Sequence, residues 1–330
     1  MSALRLSVAI GDYDRNRPII DGSVRIDGVD SVVMTLSPEE IFFRAFRHTE
    51  FDICELSLSS FAVQIARGKS AYVGIPAFLS RGFRHTSIYI RTDRGICRPE
   101  DLKGRAVGVP EYQLTACVWA RALLEDDFGV KPSDMRWIRG GIEEPGRPEK
   151  IRIDLPADVQ LDDAPESRSL NALLEAGEID AFIGPRAPSS YDRGHPNVGR
   201  LFGDPTAAAT DYYRRTRIFP IMHLLGVRHR LADEHPWLPA ACLKAFEKAK
   251  SLALKNLSDT SATKITLPFV EEQLKAAREL MGEDYWPSGV AANRHVLESF
   301  LQHHHAQGLS SRRLEVDELF HASTLETVRI

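Results

Sequence analysis

From Leu4 to Ile183, short apolar runs alternate with stretches that carry helix start and stop signals. Nothing else in the chain constrains the fold as strongly. Leu4–Ile10 alternates like a strand and ends at Gly11-Asp12-Tyr13-Asp14. Ser37-Pro38-Glu39-Glu40 then offers a serine cap, a first-turn proline and two acids at the positive end of a helix. The helix predicted over residues 39–48 leads to a strand at 51–54 and a helix over 57–67 that stops near Gly68. Strands at 72–78 and 87–91 follow, then a short buried strand at 106–109 broken by Pro110. Residues 115–128 read as a helix with Gly129 where a C-terminal stop belongs. Strands at 135–139 and 151–155, a helix over 169–176 ending at Gly177, and a strand at 179–183 complete the series. The last strand runs into Gly184-Pro185-Arg186. This pattern predicts an α/β architecture.

After Ile218 the pattern changes, and helices are predicted over 235–257, 269–281, 293–307 and 315–320. Residues 91–217 therefore read as an inserted lobe, while 1–90 and 218–330 fold together as the other. A chain of 330 residues is comfortable as two such lobes. Two chain crossings would make hinges and a cleft, a common place for a small ligand.

The net charge of −4 argues against nucleic-acid binding, which needs a strongly basic face. Cys54, Cys97, Cys117 and Cys242 are far apart, with neither zinc-site spacing nor a disulfide framework. The first residues lack the pattern of a secretory signal, and no apolar run reaches the roughly 20 residues that span a bilayer. The expectation is a soluble cytoplasmic protein with no nucleic-acid or membrane partner; a homo-oligomer is left open.

Ligands of open α/β sheets sit outside the carboxyl ends of the strands. That rule selects Asp12-Tyr13-Asp14-Arg15, Glu55 with Ser57 and Ser59, Gln113 with Thr115, and Arg186 with Ser189. The segments between the lobes add Arg84-His85 and His223. Ser57 and Thr115 stand at predicted helix starts, where free N–H groups hold a carboxylate. The plainer role for either is an N-cap. Arg84 and Arg186 are candidate carboxylate clamps, because a guanidinium meets a carboxylate through two parallel hydrogen bonds. His303-His304-His305 lie in a helix pattern that fans them around the axis, so they read as surface. Arg214, Arg215 and Arg217 read as mostly solvated. His85, His223 and Glu55 make an alternative set for a divalent metal, although no spacing motif supports it.

Several segments taken together resemble the 4,5-dihydroxyphthalate decarboxylase family. They are Phe51-Asp52-Ile53-Cys54-Glu55-Leu56-Ser57-Leu58-Ser59-Ser60-Phe61, Arg84-His85-Thr86-Ser87-Ile88-Tyr89, and Asp101-Leu102-Lys103-Gly104 on through Val109-Pro110-Glu111-Tyr112-Gln113-Leu114-Thr115. Gly140-Gly141-Ile142-Glu143-Glu144-Pro145-Gly146-Arg147, Ile218-Phe219-Pro220-Ile221-Met222-His223 and Trp286-Pro287 with Asn293-Arg294 extend the match over nearly the whole chain. Gly82 departs from the pattern, where a second basic residue is expected beside Arg81. The resemblance implies a two-lobed fold related to type II periplasmic binding proteins. It also implies decarboxylation of a dihydroxylated aromatic dicarboxylate without a cofactor. Under that implication His85 or His223 donates a proton, with His85 the first choice, and Asp12, Asp14 or Glu55 serves as base. Arg84, Arg186, Ser57, Ser59, Gln113, Thr115 and Asp12 would hold the substrate. The rival readings are a solute-binding component of an importer and a cytoplasmic ligand sensor.

Overall fold

The computed structural model describes residues 3–326. In chain order the first elements are β1 (Leu4–Ile10), α1 (Arg17–Ile20), β2 (Val29–Thr35), α2 (Pro38–His48), β3 (Ile53–Ser57), α3 (Leu58–Ala66) and β4 (Tyr72–Arg81). Next come β5 (Ile88–Arg91), β6 (Ala106–Val109), α4 (Thr115–Phe128), β7 (Arg136–Arg139), β8 (Gln160–Asp163) and α5 (Leu170–Ala176). They are followed by β9 (Ala181–Ile183), α6 (Ser189–Asp192), β10 (Val198–Arg200), α7 (Pro205–Thr216) and β11 (Ile221–Arg228). Four helices close the series: α8 (His229–Glu234), α9 (Leu238–Leu257), α10 (Val270–Met281) and α11 (Arg294–Ala306).

The chain divides into two compact units. Unit 1 is Met1–Arg81, Ile221–Glu298 and Leu314–Ile330, and unit 2 is Gly82–Pro220 with Ser299–Arg313. These divisions fall at 81/82 and 220/221, against the expected 90/91 and 217/218, and the chain enters unit 2 a second time within α11.

Unit 1 holds a five-stranded sheet in the order β2-β1-β3-β11-β4. β1 pairs parallel with β2 and β3, while β11 runs antiparallel between β3 and β4. The carboxyl ends of β1 and β3 and the start of β11 therefore share one edge. Val8, Ile10, Ile53, Ile75, Leu225 and Val227 form its core with α9 residues such as Cys242 and Phe246. Each large apolar side chain buried in this way contributes about 1.5–3 kcal/mol.

Unit 2 holds a six-stranded sheet in the order β10-β5-β9-β6-β7-β8. β6 is parallel to β7 and β9, and β5 is antiparallel to β9. The end of β6 and the start of β5 therefore lie on one edge. Tyr89, Ile138, Leu170, Leu174 and Phe182 pack its core.

Local signals hold at the helix ends. Ser37 Oγ accepts from Glu40 N, and the left-handed Gly129 (φ 62°) and Gly177 (φ 71°) end α4 and α5. Other expectations fail. Residues 151–155 form no strand; the outer strand is β8, polar and half solvated, paired with β7 alone. The helix expected over 235–257 is α9, which begins at Leu238, and the short α8 before it was not foreseen. Residues 316–319 make only a 3-10 turn. β2, β10 and α7 were not foreseen, nor was β11, whose run Ile-Met-His-Leu-Leu-Gly-Val-Arg does not alternate because both its faces are covered. His303 and His304 are buried rather than on the surface. The second half of α11 belongs to unit 2, where His303 Nε2 meets Asp126 Oδ2 at 2.8 Å and Phe300 packs on Trp119.

Candidate active site

The strand-end edge of unit 1 gathers the groups suited to proton transfer. Glu55 on β3 is fully buried. β11 places His223 opposite Ser57 and Leu225 opposite Glu55, so His223 is the diagonal neighbour of Glu55 on the same face. His223 Nδ1 lies 2.6 Å from Glu55 Oε1. Two more donors reach the carboxylate: the Tyr13 hydroxyl to Oε1 at 3.0 Å and the Gly11 N–H to Oε2 at 3.0 Å. Burial, reinforced by Glu55, pushes the Tyr13 phenol far above its usual range, so it keeps its proton and donates. A carboxylate can only accept, so this contact puts the ring N–H on His223 Nδ1 and the lone pair on Nε2. The imidazole is 19% exposed, and Phe42 packs edge-on against it at 4.8 Å.

Gly11 also decides where Tyr13 goes. A Cβ at position 11 would stand 2.5 Å from the Tyr13 ring, so only glycine lets the ring fold back onto the strand end. Beyond the ring, the Arg15 guanidinium lies between Tyr13 and Trp286, 4.4 and 4.5 Å from the two centroids. Arg15 Nε donates to Leu79 O at 2.6 Å. Desolvation lowers the pKa of this guanidinium, and its neighbour Asp14 opposes the shift.

The corresponding edge of unit 2 carries cations. Arg84 is partly exposed and donates to Gly82 O and Ser87 Oγ; it engages no carboxylate among the described residues. Desolvation pushes its pKa down to about 10, with no carboxylate among the described residues bonded to it to oppose the shift. Gly82 makes room for it, since a Cβ there would stand 2.8 Å from Arg84 Nη2. α4 packs against the turn that follows Arg84, and Thr115 opens that helix with Leu114 as its cap. Nearby, buried Glu111 takes Lys150 Nζ at 2.5 Å and Arg147 Nε at 2.9 Å. Burial alone would raise the Glu111 pKa, but the two cations hold it below the usual carboxylate range. This cluster pins residues 147–151 to the sheet edge and accounts for the missing strand at 151–155.

His85 hydrogen-bonds to no acid among the described residues, and the pull of Asp127 on it is smaller than the cost of its burial. It is 3% exposed, ringed by Phe202 at 5.1 Å, Tyr212 at 5.4 Å and Phe83 at 6.5 Å, and Nδ1 has no hydrogen-bond partner among the described residues. Desolvation pushes its pKa down to about 4, so the ring is neutral near pH 7.

The remaining candidates divide clearly. Ser57 and Ser59 are buried at the β3–α3 junction, and Ser57 is opposite His223 in register. Gln113 is buried with its amide donating to Ile151 O at 2.9 Å, which ties it to the pinned segment. Asp12 pairs with Arg17 and Asp14 with Arg15, both acids about half exposed. Arg186 is exposed beyond β9, and Ser189 Oγ donates to Glu143 Oε2 at 2.6 Å. The alternative metal set is split, with His85 in unit 2 and Glu55 and His223 in unit 1. Among the described residues no three His, Cys, Asp or Glu side chains gather as a metal-binding group. No described helix is long and apolar enough to cross a membrane. Sequence reasoning placed Tyr13 and Arg15 in the strand-end loop without giving either a role. Gly11, two residues ahead of Tyr13, was the available signal.

No family model matches the chain. Over all 330 residues, and over the whole of that protein, it is 60% identical to a 4,5-dihydroxyphthalate decarboxylase from Comamonas testosteroni. It is also 60% identical over 214 residues to a protein of the same name from Pseudomonas putida, covering 65% of this chain and 83% of that one. Among solved structures it is similar to the periplasmic aliphatic sulphonate binding protein SsuA from Escherichia coli, with TM-score 0.56, 13% identity and coverage of 98% and 99% of the two chains. The sulfonate-binding SsuA from Methylobacillus flagellatus matches with TM-score 0.56 and 13% identity over 97% of this chain and 92% of that one. At such identity the likeness shows the fold alone, that of the type II periplasmic binding proteins.

Proposed function

This chain belongs to the 4,5-dihydroxyphthalate decarboxylase family, and we propose that it converts 4,5-dihydroxyphthalate to 3,4-dihydroxybenzoate and carbon dioxide as a carboxy-lyase of phthalate degradation. The observation that carries the mechanism is the 2.6 Å contact of His223 with buried Glu55 at a strand-end edge. Each carboxyl-bearing carbon of the substrate ring lies para to a hydroxyl. Loss of the hydroxyl proton drives an electron pair through the ring onto that carbon, which takes a proton from His223 Nε2. The tetrahedral carbon then carries both hydrogen and carboxylate. Its bond to the carboxylate breaks, the pair returns to the ring as phenolate, and carbon dioxide leaves. The phenolate takes back the proton its hydroxyl gave up and solvent returns one to the imidazole, so one proton is consumed overall. The ring serves as its own electron sink.

In this scheme Glu55 orients the imidazole and stabilises its charged form. Asp14 takes the phenolic proton; its Oδ1 accepts from Arg15, and Oδ2 has no partner among the described residues. Within unit 2, Arg84 and the start of α4 are the groups suited to holding a carboxylate. We place the reaction in the cytoplasm, a reading supported by four cysteines that are all free thiols.

The test is product analysis. Purified protein incubated with the dicarboxylate, with and without a chelator, should release one carbon dioxide per 3,4-dihydroxybenzoate formed in both arms. Stoichiometric binding without product would replace the enzyme with a binding protein, and loss of turnover in chelator would restore the metal alternative.

A further inference from the structure

We infer that Tyr13 is a positioning residue that sets the acidity of His223 through the Glu55 oxygen both of them contact. The inference rests on the dyad reading above and goes beyond it. Glu55 Oε1 receives two donors, the Tyr13 hydroxyl at 3.0 Å and His223 Nδ1 at 2.6 Å, whereas Oε2 receives the Gly11 N–H. The phenol and the imidazole therefore share one oxygen's negative charge. Because burial keeps the phenol protonated, its share does not change as the imidazole gains or loses a proton.

The rest of the neighbourhood leaves that pairing in control. β3 contributes Glu55 and Ser57 beside His223, and β4 contributes Ser80. Arg81, at the end of β4, directs Nη2 to Asn293 Oδ1 and to Pro287 O. α2 presents the Phe42 ring. Arg15 stacks on the Tyr13 ring and is itself backed by Trp286, whose Nε1 donates to Phe78 O at 2.7 Å. A planar cation between two rings, with Gly11 leaving space on the strand side, fixes the hydroxyl on its target.

A hydroxyl that draws charge from Oε1 weakens the hold of the carboxylate on the imidazolium. The acid then releases its proton to carbon more readily. Removing the hydroxyl should leave Glu55 gripping the imidazolium harder, giving a weaker acid and a slower chemical step. A hydrogen bond to a charged group corresponds to about a tenfold effect.

The test is Tyr13→Phe, which keeps the ring, its stack on Arg15 and its packing over Gly11. kcat should fall about tenfold with KM unchanged, and the alkaline limb of the kcat profile should move up by about one pH unit. Nitrogen-15 NMR of the histidines, without substrate, should show the His223 midpoint moving up by the same amount. Tyr13→3-fluorotyrosine, a stronger donor, should move it the other way, and gives a second reading if the phenylalanine variant folds poorly. A midpoint unmoved in both variants overturns the inference. A moved midpoint in a protein that makes no carbon dioxide upholds the inference and overturns the decarboxylase reading instead.

Discussion

His223 and His85 stand at equivalent edges of two similar sheets, and their surroundings make them chemically opposite. His223 leans on a buried carboxylate at 2.6 Å and shows one face to solvent. His85 is enclosed by Phe83, Phe202 and Tyr212, and burial holds its pKa near 4. A proton donor needs a partner that rewards the charged form; His223 has a hydrogen-bonded carboxylate, whereas at His85 the pull of Asp127 is outweighed by burial. The second edge has instead Arg84 without a counterion and the cations around Glu111. The first edge thus carries a hydrogen-bonded acid–imidazole pair and the second a set of cations. Packing decides this; residue type alone does not.

The sharpest way to break the comparison is His223→Gln. Turnover should fall roughly 10²–10⁴-fold, the usual worth of a general acid, with dicarboxylate binding little changed by calorimetry. Near-parent turnover would remove the distinction between the two edges.

The cationic edge is tested next by Glu111→Gln. Breaking the buried Glu111–Lys150 ion pair should destabilise the protein by about 3–5 kcal/mol in denaturant unfolding. The same group predicts a pH dependence. Its folded pKa lies below the ordinary value of 4.5, so its contribution is complete above that value and is lost as pH falls through the folded one. The glutamine variant should lose that acid-side slope; an unchanged slope would mean Glu111 does not hold the segment at 147–151.

Arg84→Ala should raise KM by a factor equivalent to about 2–5 kcal/mol, with Arg84→Lys recovering only part. Exposed Arg186 should be worth no more than about 1 kcal/mol in the same assay. A larger effect at Arg186 than at Arg84 would move the anion grip to the end of β9.

The smallest kinetic effect belongs to His85→Phe. An apolar ring suits the cage and removes a buried nitrogen that has no partner, so turnover should stay near the parent's. Unfolded histidine binds a proton at about 6.5 and this folded one at about 4, so the parent loses stability as pH falls between those values. The phenylalanine variant should lose less over that window in thermal unfolding. A large drop in kcat would return the proton role to His85.

The amino-acid sequence by itself determined the α/β class, because alternating apolar runs and helix caps such as Ser37, Gly129 and Gly177 act over a few residues and need no distant partner. It also placed Glu55, Ser57 and Thr115 at strand ends and helix starts, and the segments that carry the family resemblance can be read directly from the chain. Only the tertiary structure decided which of those residues work together. Glu55 and His223 are 168 positions apart and meet because β11, a strand buried on both faces and so without a period-two pattern, inserts antiparallel beside β3. The burial of His303 and His304 was hidden for a like reason, since the fan of three helical histidines says nothing about which unit will cover them. The proton placement at His223 and the neutrality of His85 depend on a carboxylate and an aromatic cage supplied from elsewhere in the chain. Desolvation and charge act through space, so no local pattern could have told the two histidines apart.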